Sequence, residues 1–435
     1  MNILFTKKLI FGLILSFFIF LIMELVLSLG YAVVKRDFFP YGKYREMIHV
    51  VATDSYDDKK KLEPGEIQSG KEIIHPYFGY TYNFAKEPWR ISEYGFIDPK
   101  SPILNDTDSL NIAVLGGSFA AHICMYAKDA LVESLQMLGS NVTITNLALG
   151  GYKQPQQLLI LNYLLSLDAH FDIVINIDGF NEIVLPPIEN IPAGVFPFYP
   201  RQWQLRVANI YEPEIAIKLA RLDVLRQKRH QQAKFFDRKY LSRSVLMCLV
   251  WSLLDLKFMK EEYNLSIQLH KLQPEDFSRP SVTGPEFSFT NEDSLYKTLA
   301  IHWGRCSKLI DKICKSNNIC YFHFLQPNQY VDGSKPMSSK ETAIAIDEKH
   351  IYRASVIKGY PYLRNVGTQL KEDINFYDMT MIFSNNTNVL YSDTCCHLNK
   401  NGCEIIARRI GELITDYVLK VDEELHRGIS LSQQK

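Results

Sequence analysis

Residues 111–122, NIAVLGGSFAAH, form an apolar run that breaks on Gly116-Gly117, presents Ser118, and resumes in small helix-compatible residues. A short continuous apolar run ending in glycines reads as a strand buried on both faces. The form recurs. NVTITNLALGG (141–151) ends on a second glycine pair, and FDIVINIDGFNEI (171–183) runs into a polar turn. Between them DALVESLQML (129–138) has helical spacing, and PQQLLILNYLLSL (155–167) opens on a proline suited to a first helical turn. After a helical stretch at 295–316, NICYFHFLQPNQY (318–330) repeats the strand-and-turn form. The last unit is Asp393 to His397, followed by the helix GCEIIARRIGELITDYVL. Strands alternating with helices predict an α/β domain on a parallel sheet covered on both faces. Ligands of such sheets gather outside the carboxyl ends of the strands. Each unusual polar turn of this chain falls at such an end.

The flanks carry a second physical signal. Lys7-Lys8 precede 15 uncharged residues, 9 to 23, and after Glu24 the apolar character continues to Val34. Residues 9–34 are long enough to cross a bilayer as a helix. A cleaved signal peptide would read alike as far as Met23, but no small-x-small site follows there cleanly, and LGYA at 29–32 is the nearest candidate. A retained anchor is expected. Lys7-Lys8 place its N-terminus in the cytoplasm and the bulk of the chain outside (periplasmic in a bacterium), although Lys35-Arg36 count against that orientation. Glu24 is costly against lipid, so it is expected at the outer interface or against a partner helix.

The expected organisation is an anchor at 1–36, a tether with accessory short strands at 37–110, a core domain at 111–183 and 299–420, a mainly helical insertion or cap at 184–298, and a polar tail at 421–435. Within the insertion, VLPPIENIPAGVFPFYPRQW (184–203) suits a cleft wall. KLARLDVLRQKRHQQAKFFDRKYLSRS (218–244) is basic, either a solvated helix face or a contact for anionic glycan or lipid headgroups. SVLMCLVWSLLDL (244–256) is too short to span a bilayer and reads as buried or interfacial. HPYFGY and SEYGF (75–80, 92–96) read as strands packed beside the main domain. Lys+Arg and Asp+Glu both number 48, without the basic excess usual for nucleic-acid binding. The 8 cysteines include the adjacent Cys395-Cys396 but form no CxxC pair and no metal-ligand spacing. Sequons at Asn105, Asn141, Asn264 and Asn385 matter only in a glycosylating compartment.

Ser118 has three readings at its strand-to-helix turn: phosphate cradle, helix N-cap or nucleophile. GGSFAAH lacks both GxGxxG and a GK[ST] ending, which weakens the first and with it a nucleotide-binding function. The N-cap needs nothing nearby. A nucleophile needs a base within hydrogen-bond reach and donors for the charge that develops on the substrate carbonyl. His122, one helical turn on, is a rival base; His323 reads as a strand residue.

Partners for a nucleophile lie at the other strand ends: NLALGGY, DGFNE and DTCCHLNKNG. With these in order, residues 111–183 and 318–415 resemble the SGNH/GDSL hydrolase superfamily. The resemblance implies a three-layer α/β/α, flavodoxin-like parallel sheet, here with an N-terminal transmembrane helix and a helical insertion. It implies Ser118 as nucleophile and His397 as base. The Ser118 N–H, the Gly151 N–H (Gly150 being the next candidate) and the Asn181 amide would form the oxyanion hole. Gln326 and Asn328 are candidate substrate-lining residues. Two positions depart from the family pattern. Gly117 stands where an aspartate usually precedes the serine, and Asp393 stands four residues before His397, not three, with Thr394 in the usual place. Asp393 would then reach the ring through a bulged loop, or a backbone carbonyl would replace it and leave a Ser-His dyad. The implied function is a membrane-anchored serine esterase acting on an O-acylated substrate such as an envelope or exported polysaccharide, without cofactor, metal or nucleic acid. An O-acyltransferase on the same site and a catalytically decayed binding or scaffold protein are the alternatives.

Overall fold

The computed structural model describes residues 3–53, 72–85, 87–103, 108–139, 141–211, 213–270 and 280–432; Asn105 and residues 54–71 of the expected tether lie outside them. The helices, in chain order, are α1 (Ile3–Lys35), α2 (Tyr41–Thr53), α3 (Ser118–Tyr126), α4 (Lys128–Leu135), α5 (Gln156–Ser166), α6 (Phe180–Leu185) and α7 (Trp203–Tyr211). They continue with α8 (Pro213–Phe236), α9 (Val245–His270), α10 (Pro280–Thr283), α11 (Glu292–Ser316), α12 (Ser339–Ala345), α13 (Arg353–Leu370) and α14 (Lys400–Ser432). The strands are β1 (Glu72–His75), β2 (Gly79–Tyr82), β3 (Leu110–Gly116), β4 (Val142–Asn146), β5 (Ile173–Asp178), β6 (Cys320–Leu325) and β7 (Asn375–Asp378). Two compact units divide the chain: Met1–Pro64 with Glu212–Leu272, and Gly65–Tyr211 with Gln273–Lys435.

The larger unit is α/β, on a five-stranded, wholly parallel sheet in the order β4-β3-β5-β6-β7. Side chains alternate between its faces. Ile112 and Val114 of β3, with Ile175 and Ile177 of β5, pack under α3, α4 and α14. Ala113, Leu115 and Val174 face α5, α11 and α13. Burial on both sides explains why these strands read as unbroken apolar runs. From β3 the chain adds β4 on one side and the remaining strands on the other, so the strand order reverses at the carboxyl end of β3. Such a reversal opens a crevice in α/β sheets, and Ser118 stands at it. Two details differ from the sequence reading. The edge strand β7, NFYD, is too short and mixed to show a period, and residues 393–397 form a loop. The aromatic segment supplies the antiparallel hairpin β1–β2, paired from Glu72↔Tyr82 to His75↔Gly79.

The smaller unit is helical. Phe39, Ile48, Phe236, Val245, Cys248 and Trp251 form its core, with Leu27 and Tyr31 of α1 packed against them. Ile14–Lys35 of α1 is long and apolar enough to cross a membrane. Glu24 does meet a partner helix, and that helix is α9 of the same chain. Its carboxylate accepts the Ser244 hydroxyl (2.8 Å), the Leu246 N–H (3.1 Å) and the Val245 N–H. It thereby caps a positive helix end, which offsets the cost of an acid in an apolar helix. The expected single insertion at 184–298 is therefore divided: 212–272 joins the N-terminal helices, and the rest stays with the sheet. SVLMCLVW is the cause, because its Val245, Cys248 and Trp251 bury against the α1–α2 side. The expected polar tail from 421 is the continuation of α14 to Ser432.

Candidate active site

Ser118 opens α3. Gly116 leaves β3 at φ +145, and a Cβ there would stand 2.2 Å from the Ile177 carbonyl oxygen, so only glycine makes this turn. Gly117 is extended and caps the helix without a side chain. The serine hydroxyl is no cap: it lies 2.8 Å from His397 Nε2. His397 Nδ1 lies 2.5 Å from Asp393 Oδ2. Asp393 therefore reaches the ring despite the extra residue. Its other oxygen accepts the N–H groups of Cys395 (2.9 Å), Cys396 (3.1 Å) and His397 (3.1 Å), winding the loop around the carboxylate. The Ser392 N–H closes the loop on the His397 carbonyl (2.9 Å). Burial alone would push the Asp393 carboxyl up, but the bonds and charge of His397 and the loop amides hold it down at about 2. An ionised carboxylate fixes the proton on Nδ1, which leaves Nε2 free to accept from Ser118. Asn399 then caps α14, its Oδ1 taking the Gly402 N–H (3.0 Å) while its amide donates to the Val389 carbonyl (2.7 Å).

The Asn181 amide lies against the turn that presents Ser118. A Cβ on Gly117 would lie 2.3 Å from Asn181 Nδ2, so a glycine at this position makes room for the amide. Asn181 Nδ2 also donates to the Tyr152 carbonyl (2.7 Å). A Cβ on Gly150 would stand 4.0 Å from Ser118 Cβ, whereas one on Gly151 would meet Arg201 Cδ at 2.0 Å. The Gly150 carbonyl accepts the Tyr80 hydroxyl (2.8 Å). Because a trans peptide points its C=O and N–H in opposite directions, this bond turns the Gly151 N–H away from Tyr80. Among the described residues, neither glycine N–H has a backbone partner.

Beneath these donors lies a buried polar layer. Asp178 Oδ1 takes His323 Nε2 (2.8 Å) and Trp303 Nε1–H (2.6 Å), and Oδ2 takes the Asn176 and Gln154 amides (2.8 and 3.2 Å). Burial favours protonating Asp178, but His323, Trp303 and Asn176 hold its carboxyl below the usual range. Glu182 accepts the N–H groups of Gly179 and Gln154 (both 2.9 Å), and burial beside the Asp178 charge pushes its carboxyl up to about 8. His323 is thus a structural strand residue, bonded also to Ser307 (2.7 Å).

The rival base falls away, and two expectations change. His122 does not bond Ser118; its ring lies on that of His397, centroids 4.4 Å apart, and burial with the neighbouring His397 pulls it down to about 4. Asn328 is fully buried and lines no open surface: its amide donates to the Cys395 carbonyl (3.1 Å). Gln326 is likewise buried, against Cys396. The next two residues continue the pattern, Gln329 Nε2 donating to the Asp393 carbonyl (3.1 Å) and the Tyr330 hydroxyl to the Thr394 carbonyl (2.9 Å). The QPNQY turn is a brace for the 393–397 loop, because each inner carbonyl of that loop needs a donor once buried.

Sequence reasoning missed Tyr80, Lys153 and Arg201. Lys153 is buried, donates to the Pro197 (2.7 Å) and Tyr199 carbonyls, and is pulled down by burial to about 7. It ties down the 197–201 segment that lays Arg201, ion-paired with Glu189, over Gly151. A lysine directly after Gly-Gly-Tyr was the available signal. The Cys395 and Cys396 sulfurs are 3.6 Å apart and, with His397, offer ligand atoms within 4.8 Å of one another. Both ring nitrogens of His397 are already spent on Ser118 and Asp393. No family model matches this chain, and no curated protein matches its sequence.

Proposed function

We propose that this protein is a serine hydrolase of SGNH type, cleaving an O-acyl ester through an acyl-serine intermediate and held at a membrane by α1. The observation that carries the reading is the unbroken hydrogen-bond line from Asp393 through His397 to Ser118, with the Asn181 amide against the same turn. Ser118 Oγ attacks the ester carbonyl carbon while His397 Nε2 takes its proton. The charge on the carbonyl oxygen is met by the Ser118 and Gly151 N–H groups and the Asn181 amide, donors of a kind worth roughly 10²–10³ each in kcat. Asp393 stabilises the imidazolium, which then protonates the departing alkoxide. Water, deprotonated by His397, attacks the acyl carbon, and the imidazolium returns that proton to Ser118 Oγ as the bond to the acyl group breaks and the acid leaves. A hydroxyl of an acceptor in place of that water makes the same site an acyltransferase. Lys7-Lys8 support a cytoplasmic N-terminus with the catalytic unit on the opposite side, where an O-acylated envelope or exported polysaccharide is the natural substrate class.

The test is hydrolysis of a short-chain acyl ester by the full chain in detergent. Ser118→Ala and His397→Ala are each expected to lower kcat by ~10⁴ or more, and Asp393→Asn, which mis-sets the tautomer, by ~10²–10⁴. Activity retained by either alanine variant contradicts the assignment.

A further inference from the structure

Two thiols stand in the loop that carries His397, and ester cleavage uses neither. We propose that Cys395 and Cys396 are a reversible dithiol–disulfide modification site whose closure disengages Asp393 from His397. The site stands on the geometry of the loop; its effect on activity rests on the serine-hydrolase reading.

The two sulfurs are 3.6 Å apart, Cys395 half-buried and Cys396 buried. A disulfide closes at about 2.05 Å, so the loop has already brought its thiols within reach. The peptide between them is held at both ends. Its carbonyl, from Cys395, accepts the Asn328 amide (3.1 Å), and its N–H, from Cys396, donates to Asp393 Oδ1 (3.1 Å). Adjacent Cα atoms stand about 3.8 Å apart across a trans peptide, short of the roughly 4.4–6.8 Å that a disulfide usually spans. Closing the ring therefore strains and turns that peptide. Asp393 then loses one of the three amides that hold Oδ1, and Asn328 loses the carbonyl it braces. The carboxylate that meets His397 Nδ1 at 2.5 Å is no longer fixed. Strain also makes such a bond easy to reduce, which suits a switch better than a permanent staple.

The oxidant is a small-molecule disulfide. The bond from Cys395 and burial raise the Cys396 thiol well above its usual range, so the half-buried Cys395 attacks first. Its thiolate bonds to one sulfur of the reagent and expels the other as a thiolate, leaving a mixed disulfide. Cys396 then gives up its proton, and its sulfur attacks Cys395 Sγ and expels the second thiolate. The pair is oxidised by two electrons and the reagent reduced by two. The two thiol protons end on the two expelled thiolates.

The experiment treats the full chain in detergent with oxidised glutathione, then follows ester hydrolysis and the mass of the peptide holding both cysteines. The native peptide is expected to lose two hydrogens, and dithiothreitol to restore them. Hydrolysis should fall about tenfold or more and recover with the thiols, since disabling the aspartate of a triad outright costs ~10⁴. C395S should keep its own untreated rate within about twofold. C320S, which removes the exposed thiol of β6, should respond as the native chain does. A pair that stays reduced, or that carries glutathione in place of an internal bond, overturns the site. A disulfide that leaves hydrolysis unchanged, or equal inhibition of C395S, overturns its hold on His397. An untreated native chain without hydrolysis contradicts the serine-hydrolase reading, and the peptide mass still decides the dithiol site.

Discussion

Tyr80 lies 70 residues before Gly150, yet its hydroxyl sets the direction of a candidate oxyanion donor. Burial pushes that phenol well up, so it stays a donor throughout the physiological range. The Arg206 guanidinium covers its ring at 3.4 Å, and the Tyr152 hydroxyl donates to its backbone carbonyl (2.6 Å). Tyr80→Phe keeps the packing and removes one bond, so it should loosen the Gly150–Gly151 peptide alone. Losing an oxyanion donor outright costs ~10²–10³ in kcat, so a mis-aimed one is expected to cost roughly tenfold, with KM little changed. Ester-hydrolysis kinetics check this; a changed KM at constant kcat would assign Tyr80 to substrate binding. No sequence pattern marked Tyr80, because its partner is distant in the chain and a tyrosine in a short strand reads as packing. Ser118 and Asn181 were legible because each follows a strand end beside a glycine, and His397 because a helix-capping asparagine stands two residues after it.

At the scale of elements, α6 depends on one acid. Glu182 ties the start of α6 to the 154–157 turn through the Gly179 and Gln154 N–H groups and the Gln157 amide (3.2 Å). Its carboxyl is raised from 4.5 to about 8, so between those values the folded chain holds a proton that the unfolded chain has released. Stability from this group is complete below its unfolded pKa and is lost as pH rises towards 8. Lys153, lowered to about 7, works in the opposite sense, but only as pH climbs above that value. Glu182→Gln removes the first slope. The thermal midpoint of the variant, relative to native, should climb steadily from about pH 5 to about pH 8, whatever its absolute offset. A difference that stays constant with pH contradicts the raised carboxyl. The strands around this element were legible from apolar runs. The QPNQY brace was not, because polar residues at a strand end look the same whether they meet substrate or a neighbouring loop.

Across the whole molecule, composition and pattern separate the apolar helix from the α/β body, and the chain folds back across that division. The helical insertion does not remain one piece, since its segment 212–272 packs with the N-terminal helices. Glu24 and Ser244 are 220 residues apart, and nothing local in either stretch predicts their bond. The candidate site likewise joins distant pieces of the chain, Ser118 and His397 being 279 residues apart. The most direct test is covalent. The full chain in detergent is treated with a fluorophosphonate and the modified peptide is mapped by mass spectrometry. One adduct on Ser118, abolished in His397→Ala, is the predicted result. An unmodified Ser118, or an adduct that forms equally well without His397, would contradict the claim that these residues make an activated nucleophile.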